Sequence, residues 1–337
     1  MLKTICKVIG IIIVVMMVLI AVCTMLLNSK SVHNRIVKEA TSMLSEKFGT
    51  HVEIEYASVG IVSQEVNLHG LVIDDHQQRR MLQMDELTAN LELWPLLRKK
   101  VVVNNLEVKG LDVNIVKPSK TEPANFQFVI DSLRPKCSHP SKAKKEKVGV
   151  DISRIKLQDI RGSFNKSGFA LSHALFELDD SKGKIDVKGL NVKTDNGKPR
   201  KNTGRPKRGF FDVGHLDLTA DMNIVIDSVA DDTLIANLKH CQLKDEVTGF
   251  DVPKLTAIIH ANRDSVHFTD LLVQQMNTTV KAAKADLCLP NKKLNRRLWY
   301  HADEIVCRVF LKDISRPFAP ALKNFTLPLN AQTSMTG

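Results

Sequence analysis

Aromatic side chains are scarce in this chain. They make up 5% of the 337 residues and include only two tryptophans, whereas the hydrophobic fraction as a whole is an ordinary 43%. Aromatic residues provide the largest buried areas in compact globular cores. The composition therefore disfavours a core built on large rings and indicates that apolar packing rests on aliphatic side chains.

Sequence signatures of common catalytic and metal sites are also missing. The chain contains no Gly-rich phosphate loop, no HExxH and no GxSxG, and its cysteines show no CxxC spacing. His240 and Cys241 are neighbours along a strand, so their side chains are expected on opposite faces. Three acidic pairs fall where hairpin turns are expected: Asp74-Asp75, Asp179-Asp180 and Asp231-Asp232. We therefore expect no enzyme activity, no catalytic residue, no metal site and no cofactor.

The first apolar run is long enough to cross a bilayer. Residues 5–27 contain one charge, Lys7, and as a helix they would extend about 34 Å against a hydrocarbon core of about 30 Å. No small-x-small cleavage site interrupts the run, which favours an uncleaved signal anchor over a cleaved signal peptide. Lys3 and Lys7 favour a cytoplasmic N-terminus. The predicted anchor positions are Ile5, Ile11, Val15, Val18 and Leu26.

Six cysteines are present, and two of them, Cys6 and Cys23, belong to this apolar run. The other four are Cys137, Cys241, Cys288 and Cys307. An oxidising compartment would allow a disulfide among these four, but their spacing does not select a pair. Unpaired thiols in or beside strands are the simpler expectation.

The net charge of +11 is concentrated in two stretches. Residues 136–147 hold five cations and residues 198–208 hold six, in Pro-, Gly- and Ser-containing sequence without periodicity. These are predicted loops, which are either solvated excursions between strands or segments attracted to anionic phospholipid head groups. Nucleic acid is not an expected partner, because the basic runs lack interleaved aromatic residues for base stacking.

The periodicity changes once along the remaining chain. Residues 28–49 have apolar residues at helical spacing, with Ser31 as a candidate N-cap and Gly49 as the stop. After Phe48 about fifteen segments alternate with period two, and no strongly amphipathic helix longer than about ten residues stands out. Such strands form an antiparallel sheet with one apolar face. That face could close in a sandwich, close in a barrel, or remain an open folded sheet filled by lipid.

One six-residue pattern recurs in these strands. VKGLDV at 108–113 returns as VKGLNV at 187–192, with looser copies LHGLVI at 68–73 and VTGFDV at 247–252. The first three copies start 40 and 79 residues apart, which suggests a unit of about forty residues. Glycine inside a strand often marks a bend or bulge. We therefore predict strand bends at Gly70, Gly110, Gly189 and Gly249.

The order of features over residues 1 to about 130 resembles the N-terminal portion of the AsmA-like family, which includes the TamB proteins of Gram-negative bacteria. The matching features are a G-L-x-[IV]-x-D turn (Gly70 to Asp75), WPLL at 94–97 before a basic strand start, the V-x-G-x-x-V strand at 108–113, and the Asn125-Phe126 pair. From residue 150 onward the chain is similar to the family only in its general β pattern.

The resemblance implies a mostly β protein with an N-terminal transmembrane helix and an amphipathic helix, followed by an extended, curved and repeating antiparallel sheet that forms a β-taco groove. It implies a single-pass protein of the bacterial inner membrane with most of its chain in the periplasm. Phospholipids would be the cargo, held or conducted for outer-membrane biogenesis. For TamB-like members, an outer-membrane β-barrel protein is a further partner in protein assembly or secretion. Family members are usually longer, so the chain is expected to continue beyond Gly337.

These expectations divide the chain into segments. Residues 1–27 would be a cytoplasmic stub and signal anchor, 28–49 an amphipathic helix, 50–135 a first groove module, 136–149 a basic linker, and 150–337 further groove repeats with a basic loop at 196–209.

The candidate lipid-facing positions are the aliphatic residues that share the apolar strand face. For each of them an ordinary sandwich core remains the alternative, because alternation does not show what covers the face. A scaffold that pairs a free sheet edge with a client strand is the second functional hypothesis. The candidates are Val52, Ile54, Val66, Leu68, Leu87, Leu91, Val108, Val113, Leu218, Ile224, Leu255 and Ile259.

Overall fold

The strand content of the chain is unusually high. The computed structural model describes residues 33–60, 64–92, 95, 100–119, 121–133, 149–199, 209–230, 232–289 and 299–337. Strands account for 66% of the structure, compared with roughly 20–25% in typical soluble domains. The prediction of a mostly β chain is therefore confirmed. Two compact units are present, Met1–Asn165 and Lys166–Gly337.

The first unit combines an antiparallel meander with two helices. Its strands follow the order β1-β2-β3-β4-β6, an open path, with β5 also paired to β4. The elements are α1 (His33–Phe48), β1 (Val52–Gly60), β2 (Glu65–Asp74), β3 (Arg80–Glu92), β4 (Lys100–Ile115), α2 (Gln127–Leu133), β5 (Gly149–Ile152) and β6 (Arg154–Phe164).

One junction of this unit departs from the expected antiparallel arrangement. Strands β5 and β6 run parallel to β4, with Lys100 opposite Gly149 and Leu106 opposite Ile155. Parallel neighbours require a crossover connection rather than a hairpin. The long connection between β4 and β5, which contains α2, is this crossover. A wholly antiparallel sheet was therefore the wrong prediction at this point.

The second unit is an antiparallel meander in which each strand pairs with the next from β7 to β15, and the path does not close. A 3-10 turn at Val213–His215 precedes β9, and α3 (Leu311–Phe318) and a 3-10 turn (Pro320–Asn324) precede β15. The strands are β7 (Ser167–Asp179), β8 (Lys182–Lys193), β9 (Asp217–Ala230), β10 (Thr233–Asp245), β11 (Phe250–Ala261), β12 (Ser265–Gln275), β13 (Thr278–Cys288), β14 (Trp299–Phe310) and β15 (Pro328–Thr336).

The α1 helix lies within the amphipathic segment predicted at 28–49. Its buried residues Ala40, Leu44 and Phe48 are spaced four apart and form one stripe that is 1–3% exposed. The helix ends at Phe48 and is followed by Gly49, whose φ of 65° is left-handed and therefore suits glycine. Ser45 ties the helix to β1, because its Oγ accepts a hydrogen bond from the Val52 N–H at 3.2 Å.

A row of left-handed residues crosses the first unit at the repeated glycine. Gly70 in β2 and Gly110 in β4 have φ of 64° and 63°, and Asp159 in β6 has φ of 53°. The pairing registers place Gly110 opposite Asp85 and alongside Asp159. Gly70 also lies opposite Asp85, because the flanking pairs are His69 with Glu86 and Leu71 with Met84. Gly70, Gly110 and Asp159 therefore lie in one line perpendicular to the strands.

The side-chain alternation changes phase at this row of residues. In β4, Val108 and Leu111 are both buried although they lie three residues apart, which a regular strand would not allow. Their partners Leu87 and Met84 in β3 are buried with the same spacing. β3 changes phase without a left-handed residue, so the change belongs to the bend of the whole sheet at this level. The glycine of VKGLDV suits the positive φ and the close approach of the neighbouring strand, since a Cβ at Gly110 would lie 1.9 Å from Oδ2 of Asp85.

Left-handed residues also occur within strands of the second unit, where only one of them is a glycine. Gly189 in β8 has φ of 64°, Asp270 in β12 has φ of 53° and Glu304 in β14 has φ of 51°. Sequence patterning identified only the glycine, because Asp and Glu do not by themselves signal a left-handed backbone.

Gly249 does not bend a strand. It lies in the turn between β10 and β11, with φ of 75°, and its N–H donates to the Asp245 carbonyl at 2.8 Å. The prediction of a strand bend at the fourth copy of the pattern was therefore wrong. A turn residue with positive φ favours glycine for the same steric reason as a strand bend, so the two uses look alike in sequence.

Candidate functional site: the apolar strand face

The predicted apolar positions of the first unit share one face of its sheet. Cross-strand pairing aligns them in rows, because directly paired residues project to the same side. The rows are Val52, Ile73, Leu82 and Val113; Ile54, Leu71, Met84 and Leu111; Ala57, Leu68, Leu87 and Val108; and Val66, Ala89 and Leu106.

This face is closed by the chain itself. The eight candidates of this unit are 1–6% exposed, and so are most of their cross-strand neighbours. Both helices also contribute buried apolar residues, namely the stripe of α1 and Val129 of α2. The first unit therefore has the burial of a packed core, and its candidate positions offer little accessible apolar surface. Those candidates are Val52, Ile54, Val66, Leu68, Leu87, Leu91, Val108 and Val113.

In the second unit the apolar residues also form continuous rows. One row runs through seven strands, from β8 to β14, and a parallel row runs from β9 to β14. The first row comprises Val187, Met222, Cys241, Leu255, Val273, Val280 and Cys307. The second comprises Ile226, Ala236, Ile259, Phe268, Ala285 and Ala302. A third row joins Ile185, Ile224, Leu238 and Ala257.

The burial of these rows differs from that of the first unit. The remaining candidates, Leu218, Ile224, Leu255 and Ile259, are all half-buried. Alanine predominates among the residues that are fully buried, for example Ala236 and Ala257. Several larger side chains of the rows, for example Met222, Ile226 and Phe268, keep part of their surface accessible, whereas Val187 and Leu238 are buried. Among the residues described in this unit the only α-helix is α3, which has eight residues, so no long helix of the described part covers the rows.

A buried carboxylate organises the motif on which the family resemblance rests. Asp75, 2% exposed, accepts hydrogen bonds at Oδ1 from the Gln77 and Arg79 N–H groups, at 2.9 and 3.0 Å. Its Oδ2 accepts from the Arg79 Nε and Nη2 at 3.0 and 2.8 Å. Asn125 joins the cluster, since its Nδ2 donates to the same Oδ2 at 3.4 Å. The Gly-to-Asp turn and the Asn-Phe pair, fifty residues apart, are therefore one structural feature.

Two opposing effects act on the pKa of Asp75. Burial by itself would raise it, but the hydrogen bonds from Arg79, Gln77 and Asn125 favour the charged carboxylate and together lower the pKa below its ordinary value. Asp75 is therefore ionised near neutral pH. This polar cluster holds the β2–β3 turn against the loop that leads into α2.

His76 connects the same turn to both helices. Its Nε2 lies 3.1 Å from the carbonyl of Phe48 at the end of α1, and its ring stacks on Phe128 of α2 at 4.3 Å between centroids. Thr50 donates from Oγ1 to the Asp74 carbonyl at 3.0 Å. The end of α1 is thus fixed to the sheet of the first unit by polar and aromatic contacts, which sequence periodicity did not indicate.

Several predicted features lie outside the described residues. These are the anchor positions Ile5, Ile11, Val15, Val18 and Leu26, the WPLL tetrapeptide apart from Pro95, the basic stretch at 136–147, and Cys137. Within the described ranges, no helix combines the length and apolar composition needed to span a bilayer. No cluster of three or more His, Cys, Asp or Glu side chains suited to a metal ion occurs among the same residues.

The cysteines of the second unit are free thiols. Cys241 is buried on the apolar face, and Cys288 and Cys307 are half-buried. Burial raises the pKa of the Cys241 thiol. Cys241 pairs with Met222 and His240 pairs with Asn223, so the two neighbouring side chains lie on opposite faces.

Comparison with known proteins adds no family assignment. No protein-family model matches the chain, and no curated protein matches it. The interpretation of the site therefore rests on its residues and geometry.

Proposed function

We propose that this protein is an AsmA-like, membrane-anchored periplasmic protein of the bacterial inner membrane, whose second unit holds or conducts phospholipids on the apolar face of its strands. No covalent chemistry is involved. The lipid acyl chains would lie against the half-buried aliphatic rows, and the cargo would serve outer-membrane biogenesis.

The observation that supports this proposal is the difference in burial between the two units. In the first unit, aliphatic residues such as Leu68 and Val108 are 2% exposed. In the second unit, Ile224 and Leu255 occupy equivalent apolar-face positions but are half-buried. An extended set of partly exposed aliphatic rows is unusual on a protein surface and typically marks an interaction site.

The dimensions of the rows suit acyl chains. The row from Val187 to Cys307 crosses seven strands. With a strand spacing of about 4.8 Å it extends about 29 Å, and one acyl chain, about half the thickness of a hydrocarbon core or roughly 15 Å, would cover three strands. Each methylene removed from water contributes about 0.8 kcal/mol, so even partial contact with a chain is favourable.

The first unit has a different role in this proposal. Its face is filled by its own side chains, and the His76 and Thr50 contacts fix the end of α1 to the sheet. Because α1 follows the predicted anchor in sequence, the first unit would set the orientation of the sheet relative to the membrane.

Site-specific photo-crosslinking tests the lipid proposal directly. The full chain would carry a benzophenone amino acid at Ile224 in cells fed with radioactive phosphate. Ile224 pairs with Ile185 and Leu238 on the apolar face, so irradiation should attach labelled phospholipid to the protein. Labelled adducts would be identified by mass spectrometry after protease digestion.

The neighbouring residue provides the matched control. Val225 is also aliphatic but pairs with Lys184 and Asn237 on the opposite face, so it should give little or no lipid adduct. Absence of lipid adducts at both positions, or equal yields at both, would contradict lipid binding on the apolar face.

One observation favours the second candidate function, a TamB-like scaffold that assists assembly or secretion of outer-membrane β-barrel proteins. Strand β15 pairs only with β14 among the described strands, and its residues from Leu329 to Thr336 are all exposed. The side of β15 that faces away from β14 can accept a further strand, either from the same chain beyond Gly337 or from another protein. A benzophenone at Ser334 that captures an outer-membrane β-barrel protein, with no lipid adduct at Ile224, would favour this function over lipid transport.

A further inference from the structure

The second unit exposes a group of large apolar side chains at one end of its strands, along one rim of the sheet. We call this group the aromatic edge patch. Exposure ranges from 36% to 80%, with Leu327 the most accessible of the set. The patch comprises Phe210, Phe211, Val213, Phe318, Phe325 and Leu327.

Two segments distant in sequence build this patch. The Phe210 N–H donates to the Arg316 carbonyl at 3.0 Å, and the Phe211 N–H donates to the Pro317 carbonyl at 2.9 Å. The Phe211 ring lies 5.7 Å from that of Phe318. Gly209 allows this approach, because a Cβ there would lie 2.0 Å from the Pro317 carbonyl oxygen.

The patch has a rigid foundation. Phe250 of β11 lies beneath it, with its ring centroid 5.8 Å from Phe211 and 6.3 Å from Phe318. The α3 helix is fastened to the β12–β13 turn, since Asp313 Oδ2 accepts from the Asn277 N–H at 2.9 Å and the Thr278 hydroxyl at 3.1 Å. The rings of Phe211 and Phe318 are therefore held in place on Phe250.

Three cations flank the apolar side chains on the α3 segment, and the nearby acids Asp212 and Glu246 are hydrogen-bonded to His215 and Lys244. Lys312, Arg316 and Lys323 are exposed on the same segment, whereas its acidic residue, Asp313, is 8% exposed. In sequence the patch is also preceded directly by the basic run at 198–208, whose last two residues are Lys207 and Arg208. Aromatic and leucine side chains flanked by Lys and Arg are typical of surfaces that insert into the interface of an anionic membrane.

We propose that the aromatic edge patch docks this edge of the second unit onto a phospholipid bilayer that contains anionic lipid. Phe325 and Leu327 would enter the head-group region, and Lys312 and Lys323 would lie near the lipid phosphates. The site is separate from the apolar rows, so docking does not depend on whether those rows carry lipid.

Quenching of a tryptophan reporter by brominated lipid tests this proposal. The full chain would carry Leu327→Trp with Trp94 and Trp299 replaced by Phe, and it would be reconstituted into vesicles. Brominated phosphatidylglycerol would be placed either in the host membrane or in separate acceptor vesicles. We expect quenching in one of the two arrangements, and the arrangement that quenches identifies which membrane the patch contacts. Vesicles of brominated phosphatidylcholine alone should quench less.

Variants at the patch should weaken this signal. Phe325→Ser should reduce the apparent affinity for anionic vesicles about tenfold. Lys323→Gln should reduce it roughly fivefold, and less at high salt. Lys239→Gln, which changes an exposed lysine in β10, should have little effect.

Val229→Trp is the matched reporter control. Val229 is 39% exposed and lies next to the β9–β10 turn. Because the strands form a meander, this turn and the β10–β11 turn under the patch lie at opposite ends of the strands. A folded Leu327→Trp protein that is quenched in neither arrangement, or quenching at Val229→Trp equal to that at Leu327→Trp, would overturn the proposal.

Discussion

Replacing Gly110 by alanine should destabilise the first unit by about 2 kcal/mol. The backbone contributes the first part, because Gly110 has φ of 63° and a non-glycine residue in the left-handed region is less favourable by roughly 1–2 kcal/mol. The second part is steric, since a Cβ at Gly110 would lie 1.9 Å from Oδ2 and 2.8 Å from Cβ of Asp85. Asp85 is exposed and its carboxylate can rotate away, but its own Cβ cannot move without the strand.

The assay is hydrogen exchange of the full chain read by mass spectrometry. Two compact units need not unfold in one step, so a local measurement is preferable to a single melting temperature. Peptides from β3 and β4 should exchange faster in Gly110→Ala by a factor of about 30, the equivalent of 2 kcal/mol. Peptides from the second unit should be unchanged.

A double variant separates the two contributions. In Gly110→Ala combined with Asp85→Gly the close contact is absent, so about 1–2 kcal/mol of backbone strain should remain relative to Asp85→Gly alone. Exchange in β3 and β4 of Gly110→Ala that matches the wild type would refute the account of VKGLDV as a strand that requires a left-handed residue at its glycine.

Three further predictions follow from named contacts. Glu304→Gly should be neutral or stabilise the second unit by up to about 1 kcal/mol, because Glu304 has φ of 51°. Ala283→Gly in the facing strand should destabilise it by about 0.5–1 kcal/mol, because glycine inside a strand loses more conformational entropy on folding. Hydrogen exchange of β13 and β14 peptides tests the sign of both changes. Because the pKa of Asp75 is lowered on folding, its stabilisation of the first unit is present above about pH 4 and is lost as pH falls through the lowered value. Asp75→Asn should lower stability at neutral pH and flatten this acid dependence in hydrogen exchange, and an unchanged pH profile would contradict it. Asp313→Ala should loosen α3 by about 1–3 kcal/mol, because it removes the acceptor for Thr278 and Asn277, and limited proteolysis near α3 should accelerate.

Much of the strand architecture could be predicted from the sequence, because side-chain period is a local property. Alternation gave the succession of strands and the shared face of Val108 and Leu87, and the change of phase at Gly110 indicated the bend. The same reasoning could not identify Asp159, Asp270 and Glu304 as left-handed, since nothing in their side chains requires that conformation. It also placed Gly249 in a strand, because a bend and a turn favour glycine for the same reason.

The candidate sites depended on contacts distant in sequence. Asp75 and Asn125 are fifty residues apart, and Phe211 and Phe318 are more than one hundred apart, yet each pair belongs to one cluster. Neither alternation nor composition relates such positions. The parallel pairing of β4 with β6 is likewise invisible in the strand pattern, because a crossover makes the next strand run in the same direction without changing the alternation within each strand.

The sequence by itself therefore determined that the chain is mostly β, where the first helix ends, and which residues along each strand share a face, because these properties follow from the geometry of neighbouring residues. Only the tertiary structure decided that the apolar face is closed in the first unit and partly open in the second, and that aromatic residues from two distant segments meet at one edge. Burial depends on what packs against a face, and that is set by contacts between segments rather than by the period of any one of them.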